Sequence, residues 1–389
     1  MIGEAQRLHV AETYYFAKKL AEIREMNANS ETKVLNLGIG SPDLPPPAQV
    51  IDALAKSAAQ ADAHGYQSYK GIPELTKAFG NWYKRHFDVD LNADQEILPL
   101  IGSKEGVMHI SMSYLNPGDE VLVPNPGYPA YAMCAKLAGA EVKYFDLEAD
   151  LGWLPDLNKL ENQDLSKVKI MWVNYPNMPT GGRATKSFFE QLIAFGKKHD
   201  ILICHDNPYT FILNDDPISL LQIDGAKETA VELVSLSKNY NMAGWRIGAV
   251  CGSKQCMDTI LKFKSNMDSG MFKPMQVAAV VALSLGSEWF DYLNGEYHKR
   301  KIIAIEIMKA IGCEPLLDGV GMFVWAKIPD DVKSAEEMAD EILYKNRVFI
   351  TPGHIFGSNG DRYLRISLCS DKVGLTAALH RITHSTVSI

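Results

Sequence analysis

The stretch "AVELVSLSKNYNMAGWRIGAVCG" (230–252) sets a lysine between two apolar runs. The first run, 230–237, is apolar and β-branched enough to form a strand buried on both faces, as strands of parallel α/β sheets are. Lys238 then emerges at the carboxyl end of that strand, the edge along which such sheets gather their ligands. Burial there disfavours the ammonium, lowers its pKa and leaves an amine able to act as a nucleophile. The competing reading, a lysine that caps a strand and points into water, is what most lysines do. Partners elsewhere in the chain decide between the two.

Working outward, the same strand and helix patterns alternate. "EILPLIG" (96–102), "EVLVP" (120–124), "EVKYFDL" (141–147), "VKIMWVNYP" (168–176), "ILICHDNPY" (201–209) and "RIGAVCG" (246–252) read as strands. "KEGVMHISMSYL" (104–115), "YPAYAMCAKLAG" (128–139) and "KSFFEQLIAFGKKH" (186–199) read as helices between them. Such alternation predicts an α/β fold, a mostly parallel sheet covered by helices on both faces. Residues 8–26 form an amphipathic helix candidate, followed by a short strand and a Gly/Pro-rich loop in "VLNLGIGSPDLPPP" (34–47). The strongly helical run 275–312 is expected to lead out of the sheet into a smaller α+β part, against which the amino-terminal segment packs. The expected division is a large domain over 46–279 and a small domain built from 1–45 and 280–389.

The 389 residues allow a substantial core, and 47% hydrophobic with 22% charged residues is an ordinary globular composition. A formal charge of -8 and a pI near 5.7, with no long Lys/Arg block, argue against nucleic acid as a partner. Cys134, Cys204, Cys251, Cys256, Cys313 and Cys369 form no CxxC pair and read as reduced thiols of a cytoplasmic protein, not as a disulfide frame or a zinc site. The polar, helix-periodic start has no apolar leader core, and no run is long and apolar enough for a membrane span.

Several stretches supply candidate partners for Lys238. "IGSKEGV" (101–107) is a glycine turn entering a helix, where free N–H groups and the positive end of the dipole suit a phosphate. A plain βα turn is the commoner reading. "HDNPY" (205–209) closes a strand and brings Asp206 to the same edge, where it either holds a protonated ring nitrogen or caps a turn. Tyr209, three residues on, can offer a hydroxyl to a neighbouring oxygen. A His205–Asp206 metal site lacks further ligands at metal spacing. Arg246 and Ser235 flank Lys238 closely enough to face one anion, and guanidinium is the natural fork for phosphate. Tyr128 in "PNPGYPAY" (124–131) can lie over a flat ligand or pack in the core. Arg365 in "RYLRIS" (362–367) either points inward to a carboxylate or lies solvated on its strand.

Together with "GIGSPDLPPP" (38–47), "GYQSYKGIPEL" (65–75), "GSKEG" (102–106), "NYPNMPTGG" (174–182) and "PGHIFGSNGDRYLRIS" (352–367), these stretches resemble, in order and spacing and over nearly the whole chain, the fold-type I pyridoxal phosphate enzymes. Within them the chain is similar to the class I/II aminotransferases, the aspartate aminotransferase family. The resemblance implies transfer of an amino group from an L-amino acid to a 2-oxo acid in ping-pong half-reactions. Lys238 would carry pyridoxal 5'-phosphate as a Schiff base and then move the α-proton. Asp206 would pair with the ring nitrogen and keep the ring an electron sink, and Tyr209 would bond its phenolic oxygen. Ser235, Arg246 and the backbone of Gly102, Ser103 and Lys104 would grip the phosphate, with Tyr128 stacked on the ring. Tyr66 would reach the phosphate of a neighbouring subunit, which implies a homodimer with shared sites. Arg365, helped by the backbone of Gly40, would clamp the substrate α-carboxylate.

One position departs from the family. Relatives usually carry Asn before Pro-Thr-Gly, where "PNMPTG" has Met178, and a thioether cannot donate the expected bond to the phenolic oxygen. Tyr209 then carries that contact alone, or Asn177 or Asn174 swings in, and the Schiff-base pKa is expected to be shifted. No Arg stands in "SNMDSGMFKPMQ" (265–276) for a second substrate carboxylate, which disfavours a dedicated dicarboxylate enzyme. Tyr14, Tyr15 and Phe16 on the first helix are expected near the side-chain pocket. They suit a large apolar or aromatic substrate, with diaminopimelate-type and alanine-type specificities as alternatives. A β-lyase of the C–S type shares nearly all of these residues; transamination is expected because it is the commoner activity of relatives with this motif set. A non-catalytic regulator of the same fold is the remote alternative, disfavoured by the acidic charge.

Overall fold

The computed structural model describes residues 2–10 and 15–384. Seven strands form the main sheet: Ile97–Leu100 (β1), Glu120–Asn125 (β2), Glu141–Asp146 (β3), Val168–Asn174 (β4), Leu202–Asn207 (β5), Ala230–Ser235 (β6) and Gly248–Gly252 (β7). Their spatial order is β1-β7-β6-β5-β4-β2-β3, with β7 antiparallel to both neighbours and all other pairings parallel. Alternation along each strand feeds two cores. In β4, Ile170 and Trp172 pack on one face while Met171 and Val173 pack on the other, and all four are buried. Burial on both faces is why these strands read as continuous apolar runs.

The helices show ordinary start chemistry. Thr185 caps helix Lys186–His199 by accepting the Phe188 N–H, and Ser253 caps helix Lys254–Lys264 by accepting the Cys256 N–H. A second, antiparallel sheet is built from Glu314–Pro315 (β8), Phe323–Lys327 (β9), Thr351–Pro352 (β10) and Tyr363–Ser367 (β11), in the order β10-β11-β9-β8. Arg365 sits on its central strand, opposite Trp325 on one side and Thr351 on the other. The amino-terminal segment joins this part: Leu35–Asn36 pairs in parallel with Val348–Phe349, and Asp43 forms a two-bonded pair with Arg300 at 2.6 and 2.9 Å.

Three local expectations change. Strand β6 ends at Ser235, so Lys238 stands one residue triplet further on, in the single-turn helix Leu236–Asn239. The run 275–312 divides into helices Lys273–Leu283 and Ser287–Ala310, interrupted at the glycine that precedes the second. The first helix spans Tyr15–Ala28 after a 3-10 turn at Gln6–Leu8; the part of the expected helix at 11–14, including Tyr14, lies outside the described residues.

Candidate active site

The carboxyl ends of β4, β5 and β6 open into a cavity of about 580 Å³, closed on its other side by Phe323 and Arg365 of the second sheet and by Phe16 of the first helix. Lys238 lines it. The side chain of Ser235 accepts the Ser237 N–H at 3.1 Å and starts the single turn that carries the lysine inward. Its Nζ donates to the Gly40 carbonyl. Burial lowers its pKa; Cys369 opposes the shift, and the positive charges of Arg365 and Arg246 add to it.

Asp206, near the end of β5, is buried on the same cavity. Tyr131 Oη donates to Oδ2 at 2.8 Å, and the Asn174 amide donates to the Asp206 backbone carbonyl at 2.7 Å. The second carboxylate oxygen, Oδ1, has no hydrogen-bond partner. Burial pushes this carboxyl up to about 6, against the opposing effects of the Tyr131 bond and of His205. His205 itself faces away, as strand alternation requires, with Nδ1 2.7 Å from the buried Glu232.

Opposite these groups lies the amino end of helix Ser103–Tyr114. Gly102 precedes it at φ 83°, and a Cβ there would stand 2.1 Å from Nη2 of Arg246. Glycine therefore lets the guanidinium lie against the helix start. Arg246 donates to the Ala243 carbonyl at 2.7 Å and to Ser237 Oγ at 3.4 Å. Ser103, Lys104, Ser235, Ser237 and Arg246 all border the cavity, so two cationic side chains, hydroxyls and a helix amino end face one place. That combination suits a phosphate.

Arg365 borders the cavity from the side of the second sheet. Its guanidinium carbon lies 4.1 Å from the ring centre of Phe323, 4.6 Å from that of Phe356 and 5.9 Å from that of Phe16. Nη2 donates to the Gly38 carbonyl at 2.7 Å, and Nη1 lies 3.3 Å from Met178 Sδ. The rings and these contacts hold the guanidinium in one orientation. Gly38 is the backbone neighbour of Arg365, while Gly40 borders the same cavity and its carbonyl accepts from Lys238.

Tyr209 and Tyr128 also border the cavity. Tyr209 packs edge-on against Phe323, and burial raises its phenol pKa, with Arg365 opposing. Tyr66, expected at a neighbouring subunit's phosphate, stands 94% exposed, outside this chain's own cavity lining. Two expected residues are not brought in. Asn177 is buried with its amide donating to the Asn174 carbonyl and its oxygen accepting from Thr180. Tyr15 packs against His354, leaving Phe16 and Ala17 to face the cavity. The sequence reading missed Tyr131, Phe323 and Phe356, and it named Asn174 only as a substitute at Met178, not as the partner of the Asp206 carbonyl. Tyr131 follows Tyr128 by one helical turn in "GYPAY", a spacing that sets both on one helix face; Phe323 and Phe356 carry no local signal.

A buried amine, a buried carboxylate and a caged guanidinium meeting at the carboxyl edge of this sheet define the centre of an α/β enzyme that handles charged, carboxylate-bearing ligands. The family model for aminotransferase class I and II matches residues 32–382, and the chain belongs to that family, whose members depend on pyridoxal phosphate; it is an aminotransferase. It is 42% identical over 366 residues to an LL-diaminopimelate aminotransferase of Dehalococcoides mccartyi, covering 94% of each chain. It is 39% identical over 384 residues to the enzyme of that name from Aquifex aeolicus, covering 98% of this chain and 99% of the relative. Among solved structures, apo-BacF from Bacillus subtilis superposes with a TM-score of 0.95 at 34% identity, over 100% of this chain and 99% of that one. An aminotransferase from Staphylococcus aureus gives 0.89 at 31%, over 98% of both chains.

Proposed function

We propose that the cavity holds pyridoxal 5'-phosphate and transfers an amino group from an L-amino acid to a 2-oxo acid. The observation that carries this is Asp206 Oδ1, a buried carboxylate oxygen with no partner on the cavity that also holds Lys238. Such an atom asks for a donor, and a protonated ring nitrogen is one. The glycine-backed helix start with Arg246 and Ser235 would hold the phosphate, and Tyr128 and Tyr209 would border the ring. When bound, the cofactor's pyridinium ring takes up the electron density released at the substrate Cα.

The chain's own residues do the rest. Arg365 binds the α-carboxylate through a guanidinium whose direction Phe323, Phe356 and Gly38 already fix, so little orientation is lost on binding. Lys238 Nζ, kept neutral more readily by its burial, would take the α-proton of the donor and give it back within the same half-reaction. Asp206 stays ionised through the Tyr131 bond and accepts the ring N–H. Phe16, Phe323 and Phe356 exclude water from the reacting face. With Asn174 and Asn177 both committed to other bonds, Tyr209 carries the phenolic-oxygen contact that Met178 cannot make.

The relatives are named for LL-diaminopimelate, which makes it the first donor to test. The reading also includes a homodimer in which Tyr66 completes the neighbour's site, the division at 46–279, and a cytoplasmic location. No helix among the described residues is long and apolar enough to cross a membrane. The test mixes loaded protein with LL-diaminopimelate and each common amino acid, then assays keto acid and ammonia. Stoichiometric keto acid without ammonia supports transfer. Ammonia with repeated turnover makes the chain a β-lyase, and failure to bind the cofactor at all overturns the reading.

A further inference from the structure

Further along helix Ser103–Tyr114 lies a second group of ionisable side chains that the cavity does not use. Glu105 and His109, one turn apart, meet Asp268 from the loop after helix Lys254–Lys264, and one ligand atom from each lies within 4.8 Å of the others. His109 is 0% exposed, and neither of its ring nitrogens makes a hydrogen bond. Leaving a buried polar group unmade costs about 1–3 kcal/mol, so a native fold rarely does so without reason. The imidazole is held edge-on by Phe263, with Nε2 3.4 Å from Glu105 Oε1. Glu105 Oε2 is already used by the Ile101 N–H, which leaves Oε1 for another partner. Asp268 Oδ1 accepts from Gly270 N–H and from Lys264 Nζ, each at 3.0 Å, and the same ammonium lies 2.8 Å from Oδ2.

We propose that Glu105, His109 and Asp268 form a site for a divalent first-row transition cation of the zinc or cobalt kind. One imidazole nitrogen with two carboxylate oxygens is a donor set such ions favour, whereas magnesium and calcium prefer oxygen alone. Metal–ligand bonds of about 2.0–2.1 Å bring tetrahedral neighbours to roughly 3.3 Å, so the three side chains close by small rotations. Two carboxylates against the one ammonium of Lys264 leave the cluster net negative, which favours a further positive charge. Lys264 is then the ion's competitor for Asp268. An ion there fastens the helix that begins at the cavity to the loop at Gly270, whose Cα lies so near Gln67 and Ser68 that a Cβ would meet their carbonyls at 2.6 and 2.8 Å.

The experiment is a cobalt(II) titration of the cofactor-loaded full chain, followed by calorimetry and by cobalt's visible absorption. The expected result is one ion per chain, bound at least about tenfold more weakly by His109→Ala and by Asp268→Asn, and more tightly by Lys264→Met, which removes the competing ammonium. Circular dichroism confirms that each variant is folded, and the nearly isosteric Asp268→Asn serves if His109→Ala is not. Absence of stoichiometric binding to the unmodified chain overturns the proposal. So does binding that the two ligand variants leave unchanged, or a Lys264→Met variant whose affinity does not rise.

Discussion

Tyr131 and Asp206 make the sharpest case at the scale of single residues. A carboxyl raised in the folded chain stabilises that fold below its unfolded pKa and loses the contribution as pH climbs through the folded value. For Asp206 the window runs from the ordinary aspartate range, near 4, up to about 6. The cofactor-free chain is therefore expected to lose stability across that interval, while cofactor affinity, which needs the carboxylate, rises across it. Equilibrium dialysis between pH 5 and pH 8 measures the second effect. Tyr131→Phe removes a charge-assisted bond worth about 1.5–3 kcal/mol, so the midpoint of that affinity curve moves up by about one pH unit or more. An unmoved midpoint would show that Tyr131 only packs. Lys238→Ala should retain the fold and lose multiple turnover. Arg365→Ala should raise KM about ten- to a hundredfold for all amino donors alike, measured by steady-state kinetics; a loss confined to some donors would make it a side-chain reader. The sequence showed Lys238 and Asp206 through their places at strand ends, and Arg246 and Arg365 through the motifs in which they stand. It did not show Tyr131, because a tyrosine on an apolar helix looks the same whether its hydroxyl meets a carboxylate or a water.

At the scale of elements, the helix start at Gly102 carries the anion chemistry. Gly102→Ala forces a side chain onto φ 83° and sets a Cβ against Arg246 Nη2. The guanidinium is the far end of a flexible side chain, so the fold yields by moving Arg246 and the phosphate grip suffers. The expected outcome is a tenfold or greater rise in cofactor dissociation constant, about 1.4 kcal/mol, with a smaller change in melting temperature. A fall in stability with unchanged cofactor affinity would separate Gly102 from the phosphate. Element identity was largely legible, since strands buried on both faces and amphipathic helices leave different periods in the sequence. The ends were less so. Apart from Glu232, "AVELVSLS" is apolar or small through Ser237, yet the strand stops at Ser235 because that hydroxyl caps the following turn, a competition between local bonds that periodicity does not express.

The whole molecule depends on ties such as the one that holds the amino-terminal segment to the part built on the second sheet. Arg300 on helix Ser287–Ala310, with its side chain 3% exposed, holds Asp43 and the Leu368 carbonyl together. Arg300→Met should cost about 2 kcal/mol, less than for a fully buried pair because Asp43 reaches water, and denaturant midpoints check it. The shared-site dimer is tested by mixing two inactive variants, Lys238→Ala and Tyr66→Ala. Refolding them together should restore about a quarter of the native activity, since a mixed pair keeps one intact site; no recovery would mean that each chain is complete by itself. By itself the sequence determined the α/β class, the order of elements and which chemical groups stand at the carboxyl ends of strands, because hydrophobic period and turn residues are local properties. Only the tertiary structure decided which of those groups meet. The cage of Phe323, Phe356 and Phe16 about Arg365 and the Gly38 carbonyl that this guanidinium meets join residues far apart in the chain, and such contacts exist only once the amino-terminal segment has folded against the second sheet.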